Sequence, residues 1–225
     1  MISAGGNDTT HARNALEKLC RSYWFPIYAF VRRQGHGPHD AQDLTQEFFA
    51  RLLEKKQLAG VDPAKGRFRS FLLASLKHFL ANEWDKAQAQ KRGGGAAQLS
   101  LDWQTADTKF QVAATAEPSP DKAFDREWAV TLLAKVIERL QAECEADGRG
   151  KQFKELKIFL TVGKGALSHA DAANSLGVDE GAVRVAVHRL RKRYRQLLRD
   201  EIAQTLADSA DVDEEMRALF GAFSA

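Results

Sequence analysis

Residues 168–199, SHADAANSLGVDEGAVRVAVHRLRKRYRQLLR, leave this chain few choices of local fold. Val183, Val187, Leu190, Tyr194, Leu197 and Leu198 recur at helical spacing and line one face. Asp179 precedes them as a favoured N-cap. Upstream, Ser168 and Asp171 have the spacing of a capping box that opens a shorter helix. Gly177 stands where a helix ends in left-handed backbone. A short helix, a glycine turn and a long second helix form a helix-turn-helix, whose second helix enters the major groove of DNA.

The second helix is also basic. Arg184, His188, Arg191, Arg195 and Arg199 share a face, with Arg189, Lys192 and Arg193 beside it. An ordinary solvated face mixes acids and bases one turn apart. Here seven Lys or Arg fall between Arg184 and Arg199, and no acid follows until Asp200. Nucleic acid is the favoured partner, because each cation placed near a phosphate releases condensed counterions. The arginines beyond Arg189 are expected on the phosphate backbone. Base-edge contacts are expected from Glu180, Arg184, Val185 and His188 at the helix start.

The net charge of the whole chain is only +3, so such a site must be a local patch. The residues after 205 counter it: Asp208, Asp211, Asp213, Glu214 and Glu215 stand against one Arg217. A hydrophobic fraction of 44% argues for a folded chain. Cys20 and Cys144 are far apart and lack a Cys/His cluster, which predicts reduced thiols rather than a disulfide or zinc site. No signal peptide precedes the first helix and no apolar run could span a bilayer, so a cytoplasmic protein without a membrane partner is expected.

Periodicity predicts an all-α fold of two helical domains joined by a flexible linker. The first domain, 1–92, holds helices over 12–34, 39–56 and 68–91. Pro26 lies inside the first of these, at an expected kink or break. GHGP at 35–38 and GVDPAKGR at 60–67 separate the helices. Along 68–91, Phe71, Phe79 and Trp84 are assigned to the core, while Phe68 suits either core or base stacking. The linker, 93–120, is broken by Leu99, Leu101, Trp103, Phe110 and Val112, which mark a part that docks. A helix-turn-helix domain follows over 121–205. It includes one long helix from about Asp121 and another marked by Phe153, Leu156, Phe159 and Leu160, ended by GKG at 163–165. The last segment, 206–225, is acidic and amphipathic, with Met216, Leu219, Phe220 and Phe223 on one side. It is expected to pack on the second domain; the alternative is that it covers a basic face and restrains DNA binding.

In the second helix of the first domain, Asp40, Asp43 and Glu47 share one face. A metal site, a solvated face and a protein-docking face all fit three carboxylates. The metal reading lacks a converging His or backbone oxygen. An enzyme is not expected: GKG lacks the earlier glycine and following Ser/Thr of a phosphate-binding loop, no Ser/His/Asp or Cys/His set stands out, and no cofactor is called for.

Four stretches in order resemble a bacterial RNA polymerase sigma factor of the extracytoplasmic-function (ECF) type. LCRSYWFPIYAFVRR at 19–33 looks like the first helix of the promoter-melting domain. DAQDLTQEFFARLLEKK at 40–56 looks like the polymerase-docking helix, and GRFRSFLLASLKHFLANEWDKAQAQKR at 66–92 like the helix that reads and melts the −10 element. ALSHADAANSLGVDEGAVRVAVHRLRKR at 166–193 is similar to the −35-reading helix-turn-helix. The resemblance covers about 12–92 and 121–202.

The resemblance implies that Asp40, Gln42, Asp43, Gln46 and Glu47 dock on the clamp helices of the large polymerase subunit, with its flap as a further contact. It places −10 DNA against Arg67, Phe68, Arg69, Lys77, His78, Asn82 and Lys86, with the loop 61–67 as the wall of a base pocket. It places −35 DNA against Glu180, Arg184, Val185, His188, Arg189, Arg191, Lys192 and Arg195. The linker would thread toward the RNA exit channel. An anti-sigma factor or a Ser/Thr kinase is the implied regulator, with Thr45 as the candidate phosphorylation site. A phosphate there would add charge to a helix in which Gln42 replaces a usual acid.

The chain departs from the family pattern elsewhere too. Phe71 replaces a usual tryptophan, Val185-Ala186 a frequent Ser-Arg pair, and CEADGRGKQ at 144–152 a proline-containing turn. The rival reading is a helix-turn-helix regulator that binds duplex DNA without obligate polymerase docking; it accounts for 168–199 but not for the first block.

Overall fold

The computed structural model describes residues 22–54, 68–89, 103, 106–113, 119–161, 168–206 and 209–223. All regular structure among them is helical. In order, α1 covers 22–33, α2 Pro38–Glu54, α3 Phe68–Ala89, α4 Ala106–Ala113, α5 Pro120–Ala146, α6 Gly150–Leu156, α7 Ile158–Thr161, α8 His169–Leu176, α9 Glu180–Ala203 and α10 Val212–Gly221. The chain divides into two compact units. Unit 1 comprises 1–131 and 205–225, and unit 2 comprises 132–204.

Unit 1 is built around α1. Tyr23, Phe25, Ile27, Tyr28, Phe30 and Val31 are all buried, so this helix is apolar on nearly every side. It runs through Pro26 without interruption over 22–33, so the expected break does not occur. Pro38 opens α2 at the helical position where its missing N–H costs least. Phe48, Phe49 and Leu52 on α2 are buried, as are Leu72, Leu76 and Phe79 on α3. The Phe48 and Phe79 rings pack with centroids 5.6 Å apart.

Of the apolar residues expected to dock from the linker region, Trp103 and Phe110 do so on α1; Leu99, Leu101 and the side chain of Val112 lie outside the described residues. Trp103 meets Trp24 edge-on at 5.4 Å, and Phe110 lies beneath the Arg32 guanidinium at 4.7 Å. Phe124 and Trp128, in the first turns of α5, are buried in the same unit. So are Val212, Glu215 and Leu219 of α10.

The tail therefore belongs to unit 1, not to the second domain on which it was expected to pack. Its inward face is also not the expected one. Phe220 and Phe223 are exposed, and the carboxylate of Glu215 is turned inward instead. Burial selects the row Val212, Glu215, Leu219, because Glu215 finds a cationic partner there.

In unit 2, Leu132, Val136 and Leu140 of α5 are buried with Phe153, Leu156, Val183, Val187, Leu190, Leu197 and Leu198. α5 ends in a turn whose Gly148 has φ +72, and α6 begins at Gly150. The helix expected through 153–160 is two short ones, α6 and α7, divided at Lys157. The GKG stretch lies outside the described residues. Near the end of α9, Glu201 is nearly buried and paired with Lys135 at 2.7 Å and Arg139 at 3.3 Å. Cys144 is a buried free thiol.

Two turns give testable consequences. Gly177 has φ +68, left-handed backbone that an L side chain adopts at a cost of about 1–2 kcal/mol. Gly177→Ala should lower unfolding stability by that amount in urea titration, although nothing lies near enough to clash with the added methyl. Across unit 2, Arg193 clamps Glu143 with two 2.8 Å hydrogen bonds. These bonds hold the Glu143 carboxyl below the ordinary glutamate value. A carboxyl depressed on folding adds stability above its unfolded pKa, and that stability is lost as pH falls through the native value. Arg193→Gln should therefore cost up to about 1 kcal/mol at neutral pH, a gap that closes in acid below the usual glutamate range.

Candidate nucleic-acid interface

In unit 2 the turn between α8 and α9 has the expected caps. The Ser168 hydroxyl accepts from the amide of Ala170 at 3.1 Å, one residue short of the Asp171 amide that a full capping box uses. Gly177 ends α8 in left-handed backbone, and the Asp179 carboxylate accepts from the amide of Ala182 at 2.8 Å to open α9. Val183, Val187 and Leu190 face inward, with Tyr194 half-buried. Burial pushes the Tyr194 hydroxyl up to about 12, so it stays protonated.

The opposite face of α9 is solvent-exposed and basic. Arg184, Val185, His188, Arg189, Lys192 and Arg195 are all outward. Glu180 and Arg184 form an exposed ion pair of 3.0 Å at the start of the helix, so this Arg is pre-oriented by its own turn. Val185 is 50% exposed, an apolar side chain on a cationic face. Arg191 is placed differently. Its Nε and Nη2 donate to the Phe159 carbonyl at 3.0 and 2.7 Å, which ties α9 to α7. It serves an orphan carbonyl at the end of a short helix rather than pointing outward.

On α2, Asp40 and Asp43 are exposed, while Gln42, Gln46 and Glu47 are partly so. Glu47 pairs with Arg51, whose guanidinium also reaches Glu83 on α3 at 2.7 Å and lies 4.9 Å above the Phe79 ring. The outward carboxylates at the N-terminal half of this face are thus Asp40 and Asp43. Thr45 is fully buried, and its hydroxyl donates to the Ala41 carbonyl at 2.6 Å. Helical threonines often make this bond. As a candidate phosphorylation site Thr45 is enclosed by the fold, which periodicity alone did not reveal.

On α3, the core assignment holds for Phe79, which is buried; Phe71 is half-buried. It fails for Trp84, which is 66% exposed. Phe68 is half-buried and edge-on to Tyr23 at 5.5 Å, so it is part of the aromatic packing of unit 1. His78 and Asn82 are exposed and border a groove with Phe48, Arg51, Leu52 and Ser75. Arg67 and the loop 61–67 lie outside the described residues, and only the place of Lys86 on α3 is described.

The remaining cations of α3 meet carboxylates. Lys77 Nζ is 2.6 Å from Asp121. Arg69 is largely buried, bonds to Asp125, and donates from Nε and Nη2 to Glu215 at 3.0 and 3.4 Å. Its guanidinium also lies 4.5 Å above the Trp128 ring. Burial raises the Asp125 carboxyl above the ordinary aspartate value, with the Arg69 charge acting the other way. Sequence reading missed these three acids as partners of α3. The one signal for them was an acidic tail on a chain whose helix over 68–91 is rich in cations.

Among the described residues no three His, Cys, Asp or Glu come together as a metal site, and no helix is long and apolar enough to cross a membrane. No curated protein and no solved structure matches the chain. Residues 19–90, which reach through α3, match the family model for sigma-70 region 2.

Proposed function

We propose that this protein is a sigma factor of the extracytoplasmic-function type. It binds core RNA polymerase, recognises promoter DNA at the −35 and −10 elements, and promotes strand opening for transcription initiation. The observation that carries the proposal is the sigma-70 region 2 match over residues 19–90. Region 2 is the part of a sigma factor concerned with polymerase binding and promoter melting. The exposed carboxylates Asp40 and Asp43 on α2 suit docking to basic clamp helices. Exposed His78 and Asn82, together with Arg69 and Lys77 once these are released from their acids, suit the −10 strand.

The basic face of α9 supports the second half of the proposal. Arg189, Lys192 and Arg195 are placed for phosphates and Arg184, Val185 and His188 for base edges in a major groove. The chain then works by binding energy within the polymerase complex, as a cytoplasmic DNA-binding factor and not as an enzyme. Strand opening needs no nucleotide hydrolysis by this chain, because an unstacked base and its phosphates can be held by stacking and by cations. An anti-sigma factor remains a suitable regulator. A kinase acting on Thr45 would first need α2 to expose a hydroxyl that is now bonded within the helix.

Run-off transcription with core polymerase over a genomic library tests the proposal: the full chain should direct initiation at discrete sites, and initiation no different from core enzyme alone would refute it. Asp43→Lys should weaken co-elution with core polymerase by roughly an order of magnitude without altering duplex binding by the free protein. Arg189→Ala and Lys192→Ala should weaken duplex binding about equally on all sequences. Each should also reduce the log–log salt slope by about 1, read by fluorescence anisotropy across a salt series.

A further inference from the structure

Two described cations of the strand-opening helix are held by carboxylates from chain segments far downstream. Lys77 pairs with Asp121, and Arg69 with both Asp125 and Glu215. Asp121 and Asp125 are one turn apart on α5, so they present the same helix face to α3. Glu215 comes from α10, where it is 1% exposed between buried Val212 and Leu219. Carboxylate oxygens arranged around a guanidinium in this way use the donor fork that a phosphate would use.

From this geometry we infer that α10 is an intramolecular lock. It withholds Arg69 from DNA. The inference rests on the sigma-factor reading for the identity of the DNA, but not for the existence of the lock.

The two states exclude each other for an electrostatic reason. Arg69 cannot turn to a DNA phosphate and still serve Glu215. A buried carboxylate that loses its guanidinium carries a large desolvation penalty. Release of Arg69 therefore raises the cost of keeping Glu215 buried and favours release of α10, because Val212 and Leu219 sit on the same inner face. Binding of DNA by Arg69 and docking of α10 are then reciprocally coupled. DNA phosphates favour the open state, and a docked tail scales apparent DNA affinity down to the fraction of molecules that are open. The exposed Phe220 and Phe223 lie away from this cluster and take no part in it.

The test measures binding of a labelled single-stranded oligodeoxythymidine by fluorescence anisotropy across a salt series. The full chain is compared with Glu215→Gln, which keeps the side-chain shape and removes its charge, and with Leu219→Asp, which undocks α10 through packing. Phe220→Ala is the control on the exposed side. Glu215→Gln and Leu219→Asp should bind roughly 5- to 150-fold more tightly than the full chain, with Phe220→Ala unchanged. The salt slope should steepen by about 0.7, the value for one further phosphate neutralised by the released Arg69, a change that altered stability alone would not produce. Adding Arg69→Ala to Glu215→Gln should remove the tighter binding.

Unchanged or weaker binding by both undocking variants, each shown by circular dichroism to be folded, overturns the lock. Tighter binding that survives Arg69→Ala overturns it as well. Failure of the full chain to co-elute with core polymerase would instead overturn the sigma-factor reading, while the oligonucleotide comparison would still decide whether α10 masks Arg69.

Discussion

A guanidinium with 11% of its side-chain surface exposed needs carboxylates, and much of unit 1 follows from where Arg69 finds them. The charge enters from the first turn of α3. It is met by Asp125 from α5 and Glu215 from α10, and its flat face covers Trp128. Three helices that are far apart in sequence share one ionic cluster. The cluster has two acids for one base, so removing the base would cost Glu215 its guanidinium where it is 1% exposed. This explains why a tail of mostly acidic character packs inward through a glutamate while two of its phenylalanines stay in water.

The same division of labour recurs in unit 2. The basic stripe of α9 reads as one surface in sequence, but its members do two jobs. Arg191 is bound to the Phe159 carbonyl and Arg193 to Glu143, so both fasten α9 to its neighbours. Arg184, Arg189, Lys192 and Arg195 remain outward. A helix with more cations than its folded partners need can hold its own domain together and still present positive charge to a polyanion. The outward set, with Val185 and His188, forms the surface that we propose meets DNA.

Much of this architecture was legible in residue order. Helix caps and periodicities are local, so Ser168, Gly177 and Asp179 marked the ends of α8 and the start of α9 to the residue. The apolar residues of the linker region announced a docked segment, and Trp103 and Phe110 dock on α1. Where the structure departs from the periodicity or adds to it, one cause recurs. Trp84 has an apolar side chain at helical spacing, but spacing names a face without saying whether anything covers it. Thr45 lies beside the acids of α2 in sequence, yet its position turns it inward, where its hydroxyl is spent on Ala41. The helix expected through 153–160 is divided at Lys157, a tertiary adjustment that no proline or glycine at that point foretold.

By itself the sequence determined the helical class, the cap-defined turn between α8 and α9, the basic composition of α9 and the acidic composition of α2. Each follows from interactions within a few residues, where backbone geometry relates position to face. Only the tertiary structure decided which charges meet. Whether Arg69 is open to a phosphate or closed on Glu215 depends on segments 146 residues apart being brought within hydrogen-bonding distance, and helical periodicity carries no information about that distance.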